Sequence, residues 1–490
     1  MTLTTRPRSG VRPRKKRLLL LAASASLILL TMVPRPSQAA NRNWQYWRSP
    51  EEAGFSAESL ARAEWIWDRI DDAPVSAFFL VYKGKVLADF GDTRADHQCH
   101  SMRKSFLSAL YGIHADKGSI DLDATLEELG IDDNNPLTEA EKQATVMDLL
   151  EARSGIYLQA ACETPDMRAV KPLRGSHEPG SYWYYNNWDF NALGTIFRNE
   201  TGRDIFREFQ AKIAKPIGMQ DFRPSRCSYA YEYQFSDHPC YVFRMSARDR
   251  ARFGQLFLQG GKWGRRQIIP EAWVIDSTSM HSRTRHFTGI PGFDYGLMWW
   301  VESPKFFRLA FRDRQLHHLE GFSANGFGGQ LILVLPDAEM VAVFAIDVPA
   351  GGDLSLGESL PVIETILTGR DIVDLKLAKI QCRERTAAAE GTLHLTAKVK
   401  NVGTASTGAS SVDFYLTPVD GSGDVQALGS VPLPELHPGE VQTLRFDAAL
   451  SGAIARGRYR LVSTVDNGKD NYDLHRGNNT KMVRQAVEVQ

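Results

Sequence analysis

The sequence predicts an α+β domain over residues 41–370 followed by an all-β sandwich over residues 371–490. Three observations carry this reading. Two apolar strand-like runs sit early around a short turn, a long helical stretch follows, and strand-like runs return before residue 370. From Asp371 helical periodicity stops, and alternating runs recur between Gly- and Asn-rich turns. With a leader set aside, about 450 residues remain, more than one core usually supports.

That leader comes first. Arg12 to Arg17 form a basic cluster, Leu18 to Val33 a mostly apolar stretch, and Ser37-Gln38-Ala39 a small-x-small site of the kind a signal peptidase cuts. The apolar stretch is too short, and too broken by Ser and Thr, for a membrane span of about twenty residues. Residues 1–40 therefore read as a signal peptide, with no Cys after the apolar run to carry a lipid. The expectation is a secreted or periplasmic protein with no stable membrane span. Eight of the 58 basic residues and none of the 58 acidic ones fall in this leader, so the remaining chain carries 50 basic against 58 acidic residues, a net of −8. Nothing in that balance points to nucleic acid.

Ser59 to Ile70 places Trp65, Ile66 and Ile70 on one side and predicts a helix. Phe78 to Tyr82 and Val86 to Phe90, around Lys83-Gly84-Lys85, predict a hairpin. Helices are expected, with interruptions, from Ser101 to about Gly260. Strands follow at Tyr295 to Val301, Gln330 to Leu335 and Met340 to Ala345, the last two joined by a Pro336-Asp337-Ala338-Glu339 turn. A helix at Leu360 to Leu367 stops at Gly369. In the sandwich, Leu393 to Val399, Val412 to Leu416 and Tyr459 to Val465 alternate as half-buried strands do.

Five cysteines are too few for a disulfide scaffold, although export permits pairing. Cys227 and Cys240, separated by a short polar segment, are the expected pair. Cys99, Cys162 and Cys382 read as buried free thiols. No Cys/His spacing resembles a zinc site, so neither metal nor cofactor is expected.

Ser101-Met102-Arg103-Lys104 is the chain's one S-x-x-K motif. The tetrapeptide alone is weak, since it also describes a helix N-cap with a solvated lysine. Its setting strengthens it: it opens the predicted helix Ser101 to Ile113, where the N-terminus adds positive potential, and a spacing of three puts Lys104 beside Ser101. Tyr185-Asn186-Asn187 stands at the mouth of a second amphipathic helix. No G-x-S-x-G elbow is present to recruit a Ser-His-Asp triad, so a serine proton must go elsewhere. Lys and Tyr ordinarily titrate near 10, and lowering one by three units takes about 4 kcal/mol. Placed together and partly desolvated, Lys104 and Tyr185 would titrate as a pair, and sequence does not say which is the base. A third element, Gly326-Phe327-Gly328-Gly329-Gln330, opens a strand. Glycines there let a ligand approach the backbone, and an N–H of this segment with that of Ser101 would form an oxyanion hole. The plainer reading is a Gly-rich turn.

These three elements, in this order, resemble the serine β-lactamase, penicillin-binding and class C-like esterase superfamily. Leu149 to Gly155, Phe243 to Asp249 and Tyr295 to Trp300 share the likeness, which spans roughly residues 45–370. It implies an antiparallel sheet flanked by helices, with a helical subdomain and the site in the cleft between them. By position it implies Ser101 as nucleophile and Lys104 and Tyr185 as the proton-transfer pair. Asn187, Phe327, Gly328, Gly329 and Gln330 would be the oxyanion and substrate-binding residues. The C-terminal part resembles the cell-adhesion-related bacterial (CARDB) domain, an immunoglobulin-like module, through Val399-Lys400-Asn401-Val402-Gly403, Phe414-Tyr415-Leu416, Leu436-His437-Pro438-Gly439 and Gly477-Asn478-Asn479.

Phe327 departs from the pattern, because β-lactamases and DD-peptidases of that family place Lys or His there to pair with a substrate carboxylate. The expected activity is therefore acyl transfer from a small-molecule ester or amide to Ser101 and then to water. A β-lactamase or DD-peptidase is the alternative within the fold. A non-catalytic binding protein is the alternative outside it, with the sandwich as an adhesive module for a surface polymer or protein. Other residues take plainer roles: His317 and His318 as ordinary polar groups, Arg248 and Asp249 as a helix-bracing ion pair, Trp299 and Trp300 as core or cleft wall.

Overall fold

The run Ser76–Tyr82 has no polar face, and its place in the fold explains why: all seven residues are buried, in a central strand packed on both sides. The computed structural model describes residues 43–70, 76–370, 373–403, 405–419, 424–452, 454–468, 473 and 476–490, and the expected signal peptide lies outside them. Strands β1 (Ser76–Tyr82), β2 (Lys85–Gly91), β3 (Phe293–Tyr295), β4 (Trp300–Glu302), β5 (Gly321–Gly326), β6 (Gln330–Leu335) and β7 (Met340–Ile346) form one antiparallel sheet in the order β2-β1-β7-β6-β5-β4-β3. The longer helices of this domain are α1 (Ala57–Trp67), α2 (Arg103–Ala115), α3 (Asn187–Thr201), α4 (Ala247–Leu258) and α5 (Leu356–Thr368).

Period-two alternation sends neighbouring strand residues into two different cores. Phe79, Val81, Ile332 and Val343 join Phe106 and Phe253 in the core that includes α2 and α4. Phe78, Leu80, Leu333 and Phe344 join Trp67 of α1 and Ile363 and Ile366 of α5 in the other. Helix α1 begins two residues earlier than expected because Ser56 caps it, accepting from the Ser59 N–H.

The expected single strand Tyr295 to Val301 is instead the pair β3 and β4, with Trp300 opposite Tyr295. The turn between them is fixed by contacts that a continuous strand would lose. Gly296 lies so close to Ser277 that a Cβ would sit 2.3 Å from its carbonyl oxygen, and Met298 has φ +62°. The Leu297 and Met298 carbonyls accept from Ser108 and Ser105 of α2.

The C-terminal part holds strands β8 (Leu375–Cys382), β9 (Thr386–Ala387), β10 (Thr392–Asn401), β11 (Ser410–Pro418), β12 (Gln426–Leu433), β13 (Val441–Ala449), β14 (Gly457–Val465) and β15 (Thr480–Val489). They form the sheets β8-β10-β13 and β9-β15-β14-β11-β12 around Leu393, Leu395, Phe414 and Leu461. Buried Asn401 ties the adjoining loops: its amide donates to the Ala405 and Leu436 carbonyls and its oxygen accepts from the Gly403 N–H. No helix of the described residues is long and apolar enough to cross a membrane.

Glu302, at the end of β4, is 2 % exposed and lines a small cavity with Phe293, Phe306, Ser323 and Leu360. Ser323 donates to Oε1, while Oε2 has no hydrogen-bond partner among the described residues. Burial pushes its pKa up to about 8. Between the ordinary value of 4.5 and about 8, the folded chain therefore keeps a proton that the unfolded chain has released. Stability falls as pH rises through that window, by up to about 1.4 kcal/mol per pH unit. Melting measured between about pH 5.5 and about pH 8 should show wild type losing more stability than Glu302→Gln. Parallel losses in the two proteins would contradict this account.

Candidate active site

Ser101 is reached through a strained corner. Asp96–Gln98 pairs with Arg244–Ser246, the Cys99 N–H donates to the Phe243 carbonyl, and the chain turns at His100 with φ +48°. Such a left-handed backbone costs a residue other than glycine roughly 1–2 kcal/mol. Ser101 then lies in a 3-10 turn, His100–Met102, and α2 starts only at Arg103, two residues later than expected. Every residue from Arg103 to His114 is buried. Lys104 is 2 % exposed, and its Nζ lies 2.7 Å from Ser101 Oγ and 2.8 Å from the Tyr185 hydroxyl.

Tyr185 is fixed by the residues that start α3. Asn186 caps the helix through the Trp188 N–H and donates to the Ile156 carbonyl and to Asp189 Oδ1. Ser154 donates to the same Asp189 oxygen. Burial raises the Asp189 pKa well above the usual carboxylate range, which disfavours a buried anion in this loop. Trp300 stacks on the Tyr185 ring at 5.5 Å and 25° and is cleft wall, whereas Trp299 lies in the core against Phe253.

Burial answers what spacing left open. It pushes Lys104 well below its ordinary value of 10.5, helped by the neighbouring Arg103 guanidinium, and pushes Tyr185 up to about 12. Desolvation disfavours ammonium and phenolate alike, which favours a neutral amine beside a neutral phenol. Of the two, the amine is the group able to take a proton from a serine hydroxyl.

The third element is a tight turn. Gly326 pairs with Gln330 across β5 and β6, leaving Phe327, Gly328 and Gly329 as the loop. Gly328 and Gly329 have φ +73° and +80°, and a Cβ on them would lie 2.3 Å from Val348 Cγ2 and 2.1 Å from the Leu354 carbonyl oxygen. Their smallness therefore serves packing within the chain. Gly326 presses on the Cys99 carbonyl, where a Cβ would sit at 2.5 Å, and Phe327, 59 % exposed, meets the His100 ring edge-on at 5.7 Å. The turn thus abuts the Ser101 corner at Gly326 and Phe327.

Asn187 donates to the Cys162 carbonyl at 2.9 Å and keeps a buried Oδ1 with no hydrogen-bond partner among the described residues. The Gln330 side chain is directed elsewhere: it accepts from Arg250 Nη1 and the Ile346 N–H and donates to the Ile346 carbonyl. Arg250, fully buried, donates in turn to the His97 and Met245 carbonyls. Gln330 therefore anchors the strap leading into Ser101.

Arg248 and Asp249 do not pair with each other. Arg248 makes a two-point contact with Asp221, and Asp249 accepts from the N–H groups of Gln220, Asp221 and Phe222. His317 bonds the Phe311 carbonyl. The expected Cys227–Cys240 bridge is not formed, and all five cysteines are free. Ala230, three residues from Cys227, stands opposite Cys240, which separates the two by about 10 Å along the hairpin, beyond disulfide reach. Cys99 is buried as expected, whereas Cys162 is exposed. Sequence reasoning missed His100, Arg103 and Arg250. Their only signal was adjacency to the motif or to a predicted helix start, which does not report burial. Among the described residues no cluster of His, Cys, Asp or Glu could hold a metal ion.

Gln330→Leu strips Arg250 of its side-chain partner and should cost about 2–4 kcal/mol in chemical denaturation. An unchanged denaturation midpoint would contradict the strap.

A β-lactamase family model matches residues 71–353, more than half of the chain, and a CARDB model matches residues 372–483. No curated protein sequence matches the chain. Among solved structures, it is similar to a penicillin-binding protein homologue from Caulobacter crescentus at 17 % identity and TM-score 0.48, covering 64 % of this chain and 99 % of that one. It is also similar to a β-lactamase from Mycobacterium bovis (19 %, TM-score 0.44, 62 % and 98 % covered) and to a D-stereospecific amidohydrolase from Streptomyces sp. (18 %, TM-score 0.44, 64 % and 99 % covered). The chain belongs to the β-lactamase family of hydrolases and carries a CARDB domain after its β-lactamase-like domain.

Proposed function

We propose that the protein is an exported serine hydrolase that cleaves a small ester or amide through an acyl-enzyme on Ser101. The observation that carries this reading is the Lys104 amine, buried, without a carboxylate partner among the described residues, and 2.7 Å from Ser101 Oγ. As Oγ attacks the substrate carbonyl, neutral Lys104 takes its proton. In this reading the N–H groups of Ser101 and Phe327, at the two abutting corners, are the donors to the developing oxyanion. Lys104 returns the proton through Tyr185, 2.8 Å away, to the leaving alkoxide or amine. Water then enters along the same path in reverse and frees the acid.

Phe327 selects the substrate class. Neither its ring nor His100, whose pKa is lowered to about 4 by burial and the nearby Arg250 and Arg103 charges, supplies a cation for a substrate carboxylate. This favours neutral esters and simple amides over β-lactams and peptide termini. The basic-apolar leader supports export, and the CARDB domain is read as the module that meets a surface polymer or protein.

A fluorophosphonate probe should label wild type and not Ser101→Ala. With p-nitrophenyl esters, Lys104→Ala should lose about a thousandfold or more in kcat, and Tyr185→Phe about a hundredfold. Equal labelling of wild type and Ser101→Ala would remove Ser101 from the role. Faster turnover of a chromogenic cephalosporin than of every ester and amide tested would overturn the substrate class.

A further inference from the structure

Charge in the C-terminal sandwich is segregated by face. Residues 371–490 hold 14 basic and 14 acidic residues, a net of zero. On the sheet β8-β10-β13, however, alternation turns Leu375, Leu377 and Val399 into the core and leaves Lys376, Lys379, Lys398, Lys400 and Arg445 on the outer face. Four of these cations are exposed and Lys400 is half-buried. Register places Lys376 directly opposite Lys400 and Lys379 directly opposite Lys398. Arg445 stands opposite Thr396, on the diagonal from Lys398 and so about 7–8 Å from it.

Like charges directly opposite one another destabilise paired strands, and here two such pairs follow in succession. The other sheet shows the ordinary arrangement, with Arg458 of β14 opposite Glu488 of β15. None of the five cations pairs with a carboxylate among the described residues. The acidic side chains at the ends of the face are held by other groups. Asp374 accepts from the Asn478 amide, Glu440 from the His437 N–H, and Glu384 from the His394 N–H, while Asp447 lies 3.9 Å from the His394 ring. An external anion would relieve the repulsion that the fold leaves in place.

We propose that the outer face of β8-β10-β13 binds a linear polymer with phosphodiester groups along its backbone. This rests on the reading of the C-terminal domain as the module that meets a surface polymer, and names the chemistry of that polymer. Adjacent strands lie about 4.8 Å apart, so two lysines facing across them bracket one phosphate, and the next pair along the strands takes the following one. Lysine acts on phosphate as a point charge, whereas planar carboxylates favour the arginine fork, and four of the five cations are lysine. Among the described residues of this domain no Trp, Tyr or Phe is exposed, so the face offers sugar rings or bases no stacking platform. Of the exposed large apolar side chains of the domain, Val425, Val441 and Met482, only Val441 lies on this sheet, too little to insert into a bilayer. Bare charge is what the face presents, and it matches a partner charged at every repeat.

The test measures binding of the full chain to synthetic poly(glycerol phosphate), with polygalacturonate, uncharged dextran and phosphatidylglycerol vesicles alongside. Poly(glycerol phosphate) should bind tightest and weaken about tenfold or more between about 50 and about 200 mM salt. Lys398→Glu removes one cation and sets an opposite charge against Lys379, so affinity should fall about tenfold while Tm holds or rises, a combination that misfolding does not produce. Lys376→Gln, the milder change in the other pair, should weaken binding about fivefold, and Arg458→Gln on the other sheet should bind as wild type does. Polymer binding that is equal in wild type, Lys398→Glu and Lys376→Gln overturns this face as the site. Tightest binding to polygalacturonate overturns the phosphodiester assignment and leaves the polymer reading standing, and tightest binding to the vesicles replaces the polymer with a lipid surface. Binding to none of the four overturns the proposal and the polymer reading together. No arm requires turnover, so failure here is distinct from failure of the hydrolase reading.

Discussion

An amine buried from solvent, with no counter-carboxylate among the described residues, is the constraint around which the first domain is arranged. Lys104 lies on α2, whose residues from Arg103 to His114 are all buried, so the lysine cannot swing out to solvent. Desolvation makes its charged form costly, and the cation of Arg103 beside it adds to that cost. A neutral amine is the inexpensive state here, and it sits against a serine hydroxyl and a tyrosine hydroxyl that are neutral too.

The surrounding structure holds that geometry from several directions. Ser105 and Ser108 pin α2 to the Leu297-Met298 turn, and Tyr111 pins it to α3 through the Leu193 carbonyl. Asn186, Ser154 and buried Asp189 fix the Tyr185 loop, with Trp300 stacked on its ring. Gln330 and Arg250 link the sheet to the segment before Ser101, where His100 takes the left-handed corner. Most of these ties are hydrogen bonds to backbone carbonyls, which orient without adding a formal charge near the amine.

The parts of this arrangement legible in the sequence are those that periodicity and spacing encode. The apolar runs of β1, β6 and β7 and the alternation of the sandwich strands gave the layers, and a spacing of three put Lys104 beside Ser101. Burial was not legible. S-x-x-K does not say whether its lysine is solvated, and nothing in the sequence around Arg103 and Arg250 reports that the fold encloses them. Gln330 shows the opposite error. Its place in a Gly-rich motif suggested a ligand contact, but strand alternation turns its side chain toward Arg250. The Cys227–Cys240 expectation failed because sequence separation does not reveal hairpin register, which puts Ala230 opposite Cys240. Arg248 and Asp249, neighbours in sequence, point to different partners on the 220–222 segment.

The central claim is that Lys104 is a neutral amine in the resting protein. A titration of the lysine side-chain nitrogen resonances by 15N NMR, with Lys104 assigned by its loss in Lys104→Met, measures this directly. The account predicts a Lys104 nitrogen that is already deprotonated at neutral pH and titrates well below the ordinary lysine value of 10.5. A Lys104 resonance that remains an ammonium up to about pH 10, like the solvent-exposed lysines, would contradict it.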